Sequence, residues 1–195
     1  PVGPGCSKVS TTVRESWDLA LQRAKAAYAA HDKRIVNRER VVVVNYVTRG
    51  DSEDRLRLYD PSEDWKLLQS MWVAHAWNSD SQPDSDGTEG CANDFSNTPK
   101  TQKSSRGAML TAKEVDISPT FAGARLLIAG LDPELNSKVR RRDILFHRAV
   151  QRWQPASDPS WTLTYTWGCF ALKPHQNKDV LDQIAGRALV YVHQE

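Results

Sequence analysis

The feature that most limits how this chain can fold is the run at residues 41–47, VVVVNYV. Consecutive β-branched side chains crowd a helical turn and suit a pleated surface, so the run predicts a buried strand. Residues 55–59 (RLRLY) alternate polar and apolar, the period of a half-exposed strand. Residues 67–77 (LLQSMWVAHAW) predict another strand, with a turn at Asp60-Pro61 between the two. Short apolar runs at 108–110, 121–128, 144–146, 163–167 and 188–192 continue the pattern. Helical periodicity appears twice. In residues 14–31 Trp17, Leu21, Ala24 and Tyr28 share one stripe, which predicts an N-terminal helix braced against a sheet. In residues 176–185 Val180, Leu181 and Ile184 repeat at helical spacing, and Gly186 stands where that helix should end. Many short strands with one helix at the start and one near the end predict a mostly β (α+β) sandwich or barrel. Residues 79–94 are acidic and rich in turn formers, and read as a long loop or flap too polar to join a core.

At 195 residues the chain has room for one domain with a real core. A net charge of +2 with scattered basic residues gives no case for a nucleic-acid partner. The one dense basic cluster, residues 138–142 (KVRRR), reads as a solvated turn before a strand in preference to a phosphate patch. No stretch approaches the roughly 18 apolar residues of a membrane span. The sequence does not begin with Met and carries no signal-like hydrophobic segment, so its start reads as processed or trimmed. None of the three cysteines belongs to a CxxC or to a Cys/His cluster with zinc-site spacing, so neither a metal site nor a cofactor is expected. The odd number of cysteines fits two arrangements equally. Cys6 and Cys91 pair in an oxidising compartment and leave Cys169 free, or all three are reduced.

Cys169 stands in Thr166-Trp167-Gly168-Cys169-Phe170. A glycine before a cysteine lets the backbone approach a substrate carbonyl closely, with adjacent N–H groups directed at a developing oxyanion. A free cysteine is also commonly a small buried hydrophobe, and composition alone favours that reading. A nearby histidine would activate the thiol. His147 follows Ile144-Leu145-Phe146 and so ends a predicted strand, where reactive side chains commonly project. No spacing rule selects it over the others. His75 reads as a hydrogen-bonded structural histidine within a strand, His175 as exposed beside Pro174, and His193 as part of an exposed terminal tail.

Phe146-His147 followed by Thr166-Trp167-Gly168-Cys169 resembles the signature of the L,D-transpeptidase (YkuD-type) family, in which a histidine, a spacer and Ser/Thr precede Gly-Cys. Residues 73–75, 95–99, 103–107, 131–136 and 185–190 look like its murein L,D-transpeptidase catalytic domain branch, which has Trp before Gly-Cys. The resemblance implies a helical N-terminal segment over 1–37 and a catalytic domain of the L,D-transpeptidase type over 38–195. It implies that Cys169 attacks the carbonyl at the L-centre of diaminopimelate in a peptidoglycan tetrapeptide stem and expels D-alanine. His147 would be the base, the backbone carbonyl of Arg148 its orienting acceptor, and the amides of Gly168 and Cys169 the oxyanion donors. Trp167, Ser104, Ser105 and His75 would line the substrate side. Trp167 stands where the wider family commonly has histidine and adds an aromatic wall. The same site with water as acceptor would make an L,D-carboxypeptidase or endopeptidase, and the fold without turnover would make a cell-wall-binding module. Peptidoglycan stems would be the partner, the bacterial cell envelope the setting (periplasmic or secreted), and a carbapenem a covalent trap.

Overall fold

The four valines of the opening run are each fully buried because their strand is covered on both faces. The computed structural model describes residues 13–47, 54–79, 92–120, 123–149 and 166–194. Within it β1 (Val41–Asn45) pairs antiparallel with β2 (Leu56–Asp60) and parallel with β9 (Leu189–His193). Val41 and Val43 meet Trp17, Ala20 and Ala24 of α1 (Val13–Ala30), while Val42 and Val44 face the other, larger core. Covering a strand on both faces removes the polar alternate positions, hence the unbroken valine run. The N-terminal helix is thus the brace its stripe predicts, with Leu21 and Tyr28 partly buried at its edge.

Nine strands are present among the described residues. In addition to β1, β2 and β9 they are β3 (Lys66–Met71), β4 (Gly107–Thr111), β5 (Asp116–Ser118), β6 (Gly123–Gly130), β7 (Leu145–Arg148) and β8 (Phe170–Leu172). The path through the sheet is β3-β2-β1-β9-β4-β6-β7-β8, with β5 on β6. The helix α2 (Asn177–Ile184) lies against β6 and β7, burying Val180, Leu181 and Ile184 in the larger core. Gly186 follows it at φ 86°, the left-handed conformation expected of a glycine at a helix end.

The run at 67–77 is not one strand. Regular pairing with β2 stops at Met71, and the chain then crosses to the other edge of the sheet. Ala74 N donates to Ala171 O, Trp77 N to Thr166 O and Thr166 N to His75 O. The segment after β3 therefore hydrogen-bonds beside β8, and the sheet curls until its two edges meet. Leu67 and Leu68 are exposed on the edge strand and residues 71–76 are buried, yet apolar side chains occur on both sides of the change of partner, which is why the run reads as continuous. Two other expectations change. His193 lies within β9 opposite Asn45, fully buried, and not in an exposed tail. The ends of the acidic 79–94 segment join the fold. Ser79 and Ala92 are buried, and Ser79 O accepts from Asn93 N and Asp94 N. Residues 80–91, 121–122 and 163–165 lie outside the described residues, as do Cys6 and Cys91 and hence their pairing.

Candidate active site

Parallel pairing of β7 with β8 sets the two residues of the motif on neighbouring segments. In the parallel pair β7·β8, His147 is the register partner of Ala171. Cys169 lies two positions before Ala171, so alternation puts it on the same face as His147. Ideal strand spacings set their Cα atoms about 8 Å apart, within reach of an imidazole leaning along the strand. His147 is buried and Cys169 half-buried, so the pair sits in the wall of the sheet.

The histidine has a defined tautomer. His147 Nδ1 lies 2.5 Å from the carbonyl oxygen of Arg148. A carbonyl only accepts, so Nδ1 carries the proton and Nε2 the basic lone pair. This is the role assigned to the Arg148 backbone. Burial lowers the His147 pKa, partly opposed by that same hydrogen bond, so the ring is neutral near pH 7.

The thiol does not match the activated thiolate that a nearby histidine would predict. Burial pushes Cys169 up to about 11; the Leu145 amide favours the thiolate, the Asp143 carboxylate opposes it and the Arg142 guanidinium favours it more weakly. Cys169 Sγ donates to the Asp143 carbonyl at 3.4 Å, a bond only a protonated thiol makes. The resting pair is thiol and neutral imidazole.

The turn carrying the cysteine is built by Thr166 and Gly168. The Thr166 hydroxyl lies 2.8 Å from the Cys169 carbonyl and 3.2 Å from that of His75, and accepts from Gly168 N–H at 3.1 Å. Gly168 has φ 120°, and a Cβ there would meet Ile144 Cδ1 at 2.5 Å and the Lys103 carbonyl at 2.9 Å. Glycine is therefore required, for close approach to Lys103 as well as for conformation. The expectation that the Gly168 amide serves as an oxyanion donor needs correction for this conformation, because Thr166 already accepts from it.

Of the four residues expected on the substrate side, only Trp167 presents its side chain outward, 74% exposed. Ser104 is buried, accepting from Ala76 N through Oγ and donating its amide to Ser79 Oγ. Ser105 is buried with its Oγ 2.7 Å from Arg142 Nη1, and His75 is fully buried with its ring against Tyr46. These three brace the site from beneath and do not line it. Trp77, half exposed, joins Trp167 at the rim, since its amide bonds Thr166 O.

Two contributors escaped the sequence reading. Thr166 is part of the motif but had no assigned role. Arg142, in the cluster read as a solvated turn, points inward, and its guanidinium donates to the carbonyls of Ser96 and Lys103 and to Ser105 Oγ. Its Nη2 would lie 3.4 Å from a Cβ on Gly168, so the arginine supports the nucleophile turn from below. Arg142 is partly buried whereas Lys138, Arg140 and Arg141 are exposed, a difference that the run of basic residues does not show in the sequence.

Thr166→Val, which removes every hydrogen bond of the hydroxyl, should lower kcat/KM by about 10- to 100-fold through misplacement of the thiol. Thr166→Ser should recover most of it. Steady-state kinetics with melting curves of both variants check this, and equal losses in the two would contradict it.

Among the described residues no group of three or more His, Cys, Asp or Glu side chains is arranged to hold a metal ion, and no helix is long and apolar enough to cross a membrane. A profile described as the L,D-transpeptidase catalytic domain matches residues 12–193. No curated protein matches the chain. Among solved structures, an L,D-transpeptidase from Stackebrandtia nassauensis is similar at 12% identity and a TM-score of 0.41. The similarity covers 83% of this chain and 58% of that one, so the chain spans less than two thirds of that protein.

Proposed function

The chain belongs to the L,D-transpeptidase catalytic domain family, and we propose that it performs cysteine-dependent acyl transfer on peptidoglycan tetrapeptide stems in the bacterial cell envelope. The observation that carries this reading is the Nδ1–H of His147 held by the Arg148 carbonyl, on the same face of the sheet as Cys169. A histidine with its proton fixed on one nitrogen is a base at the other.

In the reaction Cys169 Sγ attacks the carbonyl at the L-centre of diaminopimelate as its proton passes to His147 Nε2. The carbonyl oxygen takes up the electron pair facing the Cys169 amide. Collapse of the tetrahedral adduct breaks the amide bond, and the imidazolium returns the proton to the departing amine of D-alanine. The thioester is then attacked by an acceptor amine, whose proton passes through His147 back to sulfur. A strained β-lactam such as a carbapenem would acylate the same thiol, because an oxyanion donor serves any acyl group placed there, and its thioester would then hydrolyse slowly.

Incubating the protein with disaccharide tetrapeptide and weighing the products tests the reading. A cross-linked dimer with released D-alanine supports transpeptidation. Tripeptide alone would assign water as the acceptor, and unchanged tetrapeptide would overturn the enzyme reading in favour of a wall-binding module.

Trp167, on the rim and largely exposed, has little structural burden. Trp167→Ala should leave the melting temperature nearly unchanged and raise KM for the stem about 3- to 10-fold, through loss of an aromatic wall. A fall in kcat with unchanged KM would contradict that role.

A further inference from the structure

Beyond the thiol site the structure holds a cleft of about 320 Å³ on β4 and β6, with Arg34, Lys113, Arg140 and Arg187 in its wall and no carboxylate among its lining residues. Several cations elsewhere on the described surface stand beside a carboxylate: Arg38 by Asp32, Arg40 by Asp60, Arg57 by Asp54, Lys66 by Glu63, Arg125 by Asp116 and Lys178 by Asp182. The four side chains around the cleft make no hydrogen bond or ion pair among the described residues. Like charges gathered without a counter-charge repel one another, and a bound anion relieves that repulsion. Arg187 adds a second sign. Its φ is 65°, in the left-handed region that a long side chain rarely adopts, immediately after Gly186 in the same conformation. Both amides of that turn donate to the carbonyl oxygen of Ala112, a residue that lines the cleft, so the backbone holds Arg187 at its wall.

The cleft opens on the same face of the sheet as the thiol site. Leu127 lines it and pairs with Leu145, while Arg125, two residues earlier on the same strand face, pairs with His147. Ideal strand spacings put Leu127 about 8 Å from His147 and two strands, about 10 Å, from Cys169. An extended peptide covers that distance in about three residues.

We propose that this cleft is an oxyanion subsite that takes the free carboxylates of the peptide stem whose carbonyl reacts at Cys169. The assignment rests on the function proposed above. It also gives Arg140, part of the basic cluster at 138–142, a role apart from that of the inward-turned Arg142.

The test measures binding of a tetrapeptide stem, and of the same stem with its free carboxylates converted to carboxamides, to Cys169→Ala protein that cannot turn it over. The comparison protein also carries Arg34→Gln, Lys113→Gln and Arg140→Gln. The acidic stem should bind the triple variant about tenfold more weakly, and the carboxamide stem should bind both proteins alike. Equal weakening for both stems, or none for either, overturns the subsite even where the parent protein turns over stems normally. A second arm follows the melting temperature in inorganic phosphate. A stabilisation that disappears in the triple variant, in a protein that binds neither stem, keeps an anion site but overturns its assignment to the stem, and the proposed function falls with that assignment. No difference between the proteins in either arm overturns the cleft as an anion site altogether.

Discussion

Cys169→Ala should lower acyl transfer by about four orders of magnitude or more, with the fold intact. The size of the effect follows from the chemistry, since in the proposed mechanism the acyl intermediate forms on the Cys169 sulfur. Without the thiol only binding and the turn's amide remain, and in enzymes with an activated nucleophile such remnants give little turnover. The structural cost is small because Cys169 is half-buried and its thiol's bond to the Asp143 carbonyl is long, at 3.4 Å. Melting curves of the variant should overlay those of the parent within a few degrees. Neither Cys6→Ala nor Cys91→Ala should have a comparable effect on rate. Turnover surviving in the Cys169 variant, with the fold confirmed, would remove the nucleophile from the mechanism.

The second large effect is that of the base. His147→Ala should reduce kcat/KM by about 10²- to 10⁴-fold, the usual range for a positioned general base. The pH profile separates this role from a structural one. Proton transfer needs neutral imidazole and intact thiol together. Burial lowers the His147 pKa from 6.5, so the acid limb of kcat/KM in the parent should lie below pH 6.5. Burial raises the thiol to about 11, so no alkaline limb should appear until near that pH, and a broad plateau should join the two. Alkylation of Cys169 should be slow at pH 7 and accelerate toward pH 11, because the thiolate is the nucleophile in that reaction. In His147→Ala the acid limb should disappear and the residual rate should rise with thiolate concentration. A narrow bell centred near neutrality would instead indicate a preformed thiolate–imidazolium pair, contrary to the resting state described here.

Much of the fold is legible where one physical cause sets the pattern. Four buried valines mark a strand covered on both faces, and the stripe of Trp17 and Ala24 marks the helix that covers one of them. The pattern misleads where apolar side chains continue through a change of partner. Leu67 and Leu68 sit exposed beside β2 while residues 71–76 are buried near Thr166 and Ala171, and the sequence shows apolar side chains in both places, so it does not mark the crossing that closes the sheet. His193 reads as a tail residue because it is near the chain end, yet pairing with β1 carries β9 through it. In the site, His147 and Cys169 follow from the motif, while the direction of a side chain does not. Ser104, Ser105 and His75 lie in the segments that resemble the family and face inward, and the amide of Gly168 turns to Thr166. Which of three consecutive arginines points inward depends on the turn between Val139 and Ile144, so only the folded chain separates Arg142 from Arg140.

The central claim is that the acyl group passes through a thioester on Cys169. Its most direct test is the intact mass of protein quenched in acid during turnover of disaccharide tetrapeptide, followed by mapping of the modified peptide. An adduct equal to the disaccharide tripeptide less water, confined to the peptide containing Cys169 and absent from the Cys169→Ala protein, is the result expected. Product formation with no adduct at any quench time, or an adduct that persists in the Cys169→Ala protein, would contradict it.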